Sequence, residues 1–155
     1  MCGIVGQLNF DGEPVSAKIL KKMTDAILHR GPDGEGHWID QNIGLGHRRL
    51  AIIDTSSAGH QPMISADHRF VLTYNGEVYN FRELRTELEA KGYEFDSQTD
   101  SEVVLYALVE WKEEALLKFN GMFALALWDR KQKTLLLARD RYGIKPLYYF
   151  QTYKT

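Results

Sequence analysis

A strand-like apolar run at residues 4–10 begins just after Cys2, the only cysteine of the chain. A strand holds its neighbours more firmly than a free terminus does, so this pattern predicts a fixed position for Cys2. Removal of Met1 would leave a thiol and a free α-amine on one residue. Because α-amines titrate near pH ~8 and thiols near ~8.5, the amine could act as base for the thiol. A lone cysteine at this position is more often incidental, so the rest of the sequence has to decide.

Composition and charge exclude several classes of protein. The 155 residues favour one compact domain, and their 44% hydrophobic and 26% charged fractions are ordinary for a globular protein. A net charge of -2 gives no reason to expect nucleic acid or a membrane surface as partner. One cysteine excludes an internal disulfide framework, and no signal peptide or run of ~20 apolar residues is present. We therefore expect a cytoplasmic domain whose thiol stays reduced.

Local patterns predict helices and strands in an order typical of antiparallel sheets. Apolar residues at helical spacing follow Ser16 and stop at Gly31-Pro32, and capping patterns at residues 80–83 and 99–102 start two more helices, the first ending at Gly92. Strand patterns occupy residues 36–39, 44–54, 69–74, 123–128, 134–138 and 147–150. Hairpin-like neighbours outnumber βαβ crossovers, so an α+β fold with antiparallel sheet is favoured.

Two segments combine a structural and a chemical interpretation. Arg49 opens an apolar run, where it is either a surface residue, the partner of an internal acid, or a bidentate ligand for a substrate carboxylate. Asn75-Gly76 is first of all a turn signal. The Asn75 amide beside the Gly76 N–H would also make a pair of donors for a developing oxyanion.

Acidic residues next to these segments could bind an ammonium group. Glu77 follows the Asn-Gly pair, and Asp100 stands at a helix start, where capping is the simpler explanation. The five histidines lack metal-ligand spacing, so we expect no metal site. The glycines at 31, 34 and 36 are not followed by the Gly-Lys-Ser/Thr of a phosphate-binding loop.

Together these segments resemble the glutaminase domain of class II glutamine amidotransferases, within the N-terminal-nucleophile hydrolases. The resemblance covers nearly the whole chain: Met-Cys-Gly-Ile at 1–4, His-Arg-Gly-Pro-Asp at 29–33, residues 47–54, 74–80 and 99–102, Gly-Met-Phe-Ala at 121–124, and residues 139–149. The segments 74–80 and 139–149 are most similar to the asparagine synthetase branch. The resemblance implies a four-layer αββα sandwich of two antiparallel sheets.

The resemblance also implies roles for particular residues. Cys2 matches the nucleophile, with its own α-amine as base, and Asn75 with the Gly76 N–H matches the oxyanion hole. Arg49 matches the group that holds the α-carboxylate of glutamine. The α-ammonium would be held by Glu77 and Asp100, with backbone contacts from Leu50, Ala51, Ile52 and Ile53. Residues 29–33 match a family signature to which we assign no chemical step.

The implied reaction is hydrolysis of L-glutamine to glutamate and ammonia through a γ-glutamyl thioester on Cys2, with no metal or organic cofactor. Asparagine synthetases add a second domain that uses ATP and magnesium, and its Ser-Gly-Gly-x-Asp-Ser loop is not found here. We therefore interpret residues 1–155 as one glutaminase domain, whether excised, truncated or free-standing, with a covalent or separate synthetase domain as partner and a homodimer left open. Hydrolysis of another amide and a catalytically silent interaction module are the alternatives.

Overall fold

The computed structural model describes residues 1–51 and 59–155. The first half contains β1 (Gly3–Leu8), α1 (Ala17–Ala26), a 3-10 turn (Leu28–Arg30), β2 (Gly34–Asp40), β3 (Ile43–Arg49) and β4 (Met63–Ile64). The second half contains β5 (Phe70–Val78), α2 (Phe81–Glu89), α3 (Asp100–Trp111), a 3-10 turn (Lys112–Glu114), α4 (Ala115–Lys118), β6 (Gly121–Asp129) and β7 (Thr134–Arg139).

The strands form two antiparallel sheets, with orders β1-β3-β2 and β4-β5-β6-β7. Helix α1 covers the first sheet, α3 packs on β5 of the second sheet with α2 beside it, and β1 and β3 contact β5 between the sheets. The layers are therefore helix, sheet, sheet, helix. This arrangement confirms the α+β sandwich that the sequence led us to expect.

Side-chain alternation along β3 explains why that strand can join two layers. Gly44 and Gly46 lie against Val15 and Thr24, so the absence of side chains lets α1 approach closely. Ile43 and Leu45 point the other way and pack with a small core between the sheets, whose other buried members are Val71, Ala126 and Trp128. A larger apolar core lies between the second sheet and helices α2 and α3.

Strand β5 is longer than the sequence pattern predicts. The predicted strand stopped at Tyr74, and a turn was the simpler reading of Asn75-Gly76. The observed strand runs on to Val78 and pairs with β6 along its whole length, so the turn interpretation is wrong. Pairing with the long, apolar β6 outweighs the local turn preference of Asn-Gly, as tertiary context commonly does.

Other boundaries differ at the ends of elements. Residues 147–150 do not form the predicted strand, and Tyr148 and Phe150 are exposed. The helices after residues 16, 80 and 99 and the hairpin formed by β6 and β7 are confirmed. Strand β1 ends at Leu8 instead of residue 10, and α2 ends at Glu89, before Gly92. Residues 52–54 of the predicted extended segment 44–54 lie outside the described residues.

The two predicted capping boxes behave differently. Thr99 caps α3, because its hydroxyl accepts the Glu102 N–H, while the Glu102 carboxylate accepts the Asp96 and Ser97 N–H groups. Asn80 precedes α2 but makes no capping bond. Its side chain instead donates to the Lys118 carbonyl and accepts the Asn120 N–H, so it ties α2 to the start of β6.

Candidate active site

Cys2 lies at the start of β1, where Gly3 pairs with Arg48 of β3. The thiol is half-buried and meets the backbone of the residue that follows β3. The Leu50 N–H donates to Sγ at 3.3 Å, and the Leu50 carbonyl lies 3.6 Å from Sγ. Pairing of β1 with β3 therefore holds Cys2 beside the residues that follow β3, as its place next to a strand predicts.

Asp33 holds the backbone on both sides of Leu50. Its N–H donates to the Arg49 carbonyl at 3.0 Å, and its carboxylate accepts the Ala51 N–H at 3.0 Å. The segment 29–33, to which the sequence assigned no chemical step, thus positions the backbone that contacts the thiol.

Arg48 and Arg49 point to opposite faces of the first sheet. Arg48 is buried beneath α1, where its guanidinium bonds the Thr24 carbonyl and pairs with Asp25 and Glu35. Arg49 points toward the second sheet, because successive side chains of a strand alternate. Arg48 is therefore paired with acidic residues of the domain itself.

Gly59 makes room for the Arg49 guanidinium. A Cβ atom at Gly59 would collide with the Nη2 atom of Arg49 and would lie 3.0 Å from Cγ2 of Thr99. The guanidinium therefore occupies space that a side chain at position 59 would fill. A larger residue at position 59 would push the Arg49 head group aside.

The edge of β5 turns three N–H groups away from β6. The Phe123 N–H donates to the Asp140 carboxylate, and the Phe123 carbonyl accepts the Asp140 N–H. Phe123 and Gly76 are therefore a non-hydrogen-bonded pair of the antiparallel ladder. The Tyr74 N–H, on the same edge, donates to Gln61 Oε1 at 2.6 Å, and the Val78 N–H donates to Asp100 Oδ2 at 3.0 Å.

The N–H of Gly76 lies between these two on the same edge. In the part of the chain that the structure describes, β4 pairs only with Val71 and Leu72, so no strand covers this edge at Gly76. The Gly76 N–H therefore points off this edge of β5, and Gly76 and Cys2 line the same cavity. Asn75 is buried on the face of β5 that looks toward the first sheet, because it alternates with Tyr74.

Asp100 begins α3 and is buried beneath β5. Its Oδ2 atom accepts the Tyr74 hydroxyl at 2.7 Å as well as the Val78 N–H. Burial raises the pKa of the Asp100 carboxyl, and these two hydrogen bonds oppose that rise. Burial and the charge of Asp100 raise the pKa of Tyr74, so its hydroxyl stays protonated and can donate.

A cavity of about 150 Å³ brings the predicted site residues together. Cys2, Arg49, Leu50, Ala51, Asn75, Gly76, Glu77 and Asp100 all line it. The predicted backbone contacts at Ile52 and Ile53 lie outside the described residues. A thiol, a cation and two carboxylates thus share one cavity, an arrangement suited to a small ligand that carries a carboxylate, an ammonium and an electrophilic carbon.

Several lining residues were not assigned a role from the sequence, and three of them are polar groups that bear on the site. Tyr74 orients Asp100, Gln61 accepts the Tyr74 N–H and bonds Ser101, and Lys145 reaches the cavity from the segment after β7. Tyr74 and Lys145 belong to motifs that carried the resemblance, which was the only signal for them. Gln61 stands in no such motif.

No group of three His, Cys, Asp or Glu side chains is placed to hold a metal ion within residues 1–51 and 59–155. Over the same residues, none of the helices has the length and apolar character needed to cross a bilayer. The only histidine that the described structure buries completely, His47, bonds the Tyr74 carbonyl through Nε2 at 3.2 Å. Its burial lowers the pKa of His47 from 6.5 to about 4, so the ring is neutral.

Known proteins are similar to this chain in sequence and in fold. Asparagine synthetase [glutamine-hydrolyzing] 1 of Bacillus subtilis is 46% identical over 152 residues, which are 96% of this chain and 24% of that protein. Asparagine synthetase [glutamine-hydrolyzing] 3 of the same organism is 41% identical over 96% of this chain and 25% of its own length. The chain therefore spans about a quarter of these relatives.

A solved structure supports the fold class. The glutamine phosphoribosylpyrophosphate amidotransferase of B. subtilis superposes with a TM-score of 0.76 at 20% identity, over 94% of this chain and 38% of that one. This likeness confirms the fold, a sandwich of two antiparallel sheets between layers of helices. The glutamine amidotransferase domain family matches residues 1–155, so the chain belongs to that family.

Proposed function

We propose that this domain hydrolyses L-glutamine to glutamate and ammonia, with Cys2 as nucleophile. The observation that carries the proposal is the Gly76 N–H, which points off an uncovered edge of β5 into the cavity that Cys2 lines. A buried amide at Asn75 stands beside it. Two donors facing a thiol provide what acyl transfer needs, because the negative charge develops on the carbonyl oxygen.

The charged groups suit the two ends of a free amino acid. Arg49 binds the α-carboxylate, and Glu77 and Asp100 bind the α-ammonium. Asp100 presents a carboxylate already oriented by Tyr74 and Val78. Leu50, Ala51, Ile52 and Ile53 supply the backbone contacts.

The reaction proceeds in two acyl transfers. After Met1 is removed, the α-amine of Cys2 takes the thiol proton, and the thiolate attacks the side-chain amide carbon of glutamine. Asn75 and Gly76 stabilise the oxyanion, a contribution worth ~3–4 kcal/mol per donor in comparable sites. The protonated amine gives its proton to the leaving ammonia. Water then cleaves the thioester and releases glutamate.

The likeness to asparagine synthetases supports a further proposal about the whole protein. We assign the ammonia to a synthetase domain, covalent or separate, that uses ATP and magnesium to make asparagine. The glutaminase domain itself uses neither. We assign residues 1–155 to that glutaminase domain. We assign the protein to the cytoplasm, where a catalytic thiol stays reduced.

Cys2→Ala tests the nucleophile. We expect the variant to release no glutamate above background while its circular dichroism spectrum and melting temperature match the parent, since Cys2 is only half-buried. Acid-quenched parent protein, freed of Met1, should show a mass increase of one glutamyl group on the peptide that carries Cys2. Substantial turnover by Cys2→Ala would refute the mechanism.

Two alternatives predict different results with the same samples. If the natural substrate is another amide, the enzyme should turn over amides with and without an α-ammonium equally well, because Glu77 and Asp100 would bind no such group. A silent module would release no glutamate even when intact mass shows that Met1 is gone. Glutamate release that depends on the α-ammonium supports the glutaminase.

A further inference from the structure

Lys145 is a buried cation whose contact in the described structure explains its burial poorly. The residue is 4% exposed, and its Nζ lies 2.9 Å from Sδ of Met1. That sulfur is its one hydrogen-bond partner in the described parts of the chain. Because a thioether is only a weak acceptor, it repays little of the cost of burying an ammonium group.

The backbone of Lys145 is held firmly in place. The Asp140 carboxylate accepts the Lys145 and Phe123 N–H groups and also those of Tyr142 and Ile144. Burial alone would raise the pKa of Asp140, but these backbone donors lower it, so the carboxylate stays charged. The segment after β7 is thereby tied to β6, and Lys145 is directed into the cavity.

Removal of Met1, which belongs to the proposed function, takes away the sulfur and exposes the α-amine of Cys2 in its place. The Met1 carbonyl carbon joins the Cα atom that carries the Met1 side chain to the nitrogen of Cys2. Lys145 and Cys2 line the same cavity, so removal of Met1 leaves the cation and the new amine in one cavity. Within residues 1–51 and 59–155, the other charged or titratable groups that lie beside Cys2 or line the cavity include Arg30 beside Gly3, Arg49, which pairs with Gly34, and Tyr74, Glu77 and Asp100.

We propose that Lys145 supplies the positive charge that drives loss of a proton from the amine–thiol pair of mature Cys2. A fixed cation disfavours the ammonium form of the amine and favours the thiolate, so both proton losses of the pair move to lower pH. The carboxylates of Glu77 and Asp100 act in the opposite sense. Lys145 thus takes no direct part in the reaction and acts only through the effect of its charge on Cys2.

Alkylation of Cys2 tests the proposal without using catalysis. Because the chain has one cysteine, the pH dependence of its reaction with iodoacetamide reports Cys2 alone. Cleavage of a leader peptide would yield Cys2 as the first residue of every variant, and intact mass would verify it. We expect Lys145→Met to raise the midpoint of the alkylation curve by about half to one pH unit, and Lys145→Arg to restore the parent midpoint.

The acid limb of kcat/KM for glutamine should move in the same direction and by a similar amount. Lys131→Met, which removes an exposed lysine from the turn between β6 and β7, should leave both curves unchanged. If Lys145→Met does not fold, Lys145→Gln is the second neutral variant to be measured in the same way. Curves of a folded neutral variant that overlay the parent would overturn the proposal. Absence of glutaminase activity in the parent would instead refute the proposed function and leave the alkylation result to decide on Lys145.

Discussion

Single residues in this site act mostly through their neighbours. The Tyr74 hydroxyl and the Val78 N–H hold the carboxylate of Asp100, the group that we propose as a ligand for an ammonium. Leu50 contacts the thiol because Asp33 holds the backbone on both sides of it. Positioning groups of this kind should influence substrate affinity and turnover to different extents.

Tyr74→Phe removes one of the two bonds that orient Asp100. We expect KM for glutamine to rise about tenfold, the effect of a lost hydrogen bond to a charged group of ~1.4 kcal/mol, with a smaller change in kcat. Steady-state kinetics would measure both. Tyr93→Phe is the matched control, because the Tyr93 hydroxyl bonds Glu110 at the other end of α3, and its kinetics should match the parent. An unchanged KM in Tyr74→Phe would contradict the role of Asp100.

Pairing of strands decides what the Asn75-Gly76 segment can do. Because Phe123 bonds to Asp140 on its other side, the Gly76 N–H points away from β6, and Gly76 lines the cavity that also contains Cys2. The same pairing leaves no space for a side chain at Gly76. The pairing of β5 with β6 therefore explains both the direction of the Gly76 N–H and the close packing around Gly76.

Gly76→Ala should separate β5 from β6 at the site. The added Cβ would lie 2.5 Å from the Met122 carbonyl oxygen and 2.7 Å from Cβ of Phe123. We expect the free energy of unfolding to fall by about 1–3 kcal/mol and glutaminase activity to be lost. Urea denaturation and glutamate release would measure the two effects. Gly34→Ala, whose Cβ would meet only Cβ of Arg49 at 3.8 Å, is the control that should keep its stability.

The sandwich as a whole encloses His47 between its sheets. Since burial lowers the pKa of His47 to about 4 in the folded state, the unfolded chain binds the proton first as pH falls below 6.5. Stability is therefore lost between pH 6.5 and 4 and is retained above that window. The shift corresponds to about 3 kcal/mol at most.

Replacing His47 should remove this part of the acid sensitivity. We expect His47→Gln, whose amide can still donate to the Tyr74 carbonyl, to lose less free energy of unfolding than the parent between pH 6.5 and 4. Urea denaturation at a series of pH values would measure the difference. Carboxylates such as Asp129 titrate in both proteins and cancel. Parallel curves for the two proteins would show that His47 is not the source.

The segment after β7 exposes several aromatic side chains on the surface of the molecule. Tyr148 and Phe150 are 90% and 87% exposed, and Tyr142, Tyr149 and Tyr153 are exposed as well. Contiguous exposed aromatic residues commonly mark a contact with another protein or domain. This surface suits the synthetase domain assigned above.

Replacing Tyr148 and Phe150 by serine should reduce nonspecific association of the isolated chain. We expect weaker binding of an apolar dye and less self-association in sedimentation, with kcat and KM for glutamine unchanged because neither residue lines the cavity. Thr152→Ser serves as the control in the same segment. Equal dye binding and sedimentation in both proteins would contradict a contact role for these aromatic residues.

Much of the architecture followed from the sequence because its signals are local. Capping at Thr99, the hairpin after β6 and the strand after Cys2 depend on neighbouring residues, and each was predicted within a few positions. The resemblance named many of the groups of the site but gave no role to Tyr74, Gln61 or Lys145. Every residue to which it gave a role lines one cavity, apart from Ile52 and Ile53, which lie outside the described residues.

Only the tertiary structure decided which way those groups face. The sequence Asn75-Gly76 is locally typical of a turn, but pairing with β6 makes it part of a strand, and Gly76 lines the same cavity as Cys2. Arg48 and Arg49 are alike in sequence, yet alternation along β3 sends one to Asp25 and the other to the cavity. Lys145 lies 144 positions from Met1 and touches it. Such contacts depend on how distant strands pair and pack, and no local propensity encodes them.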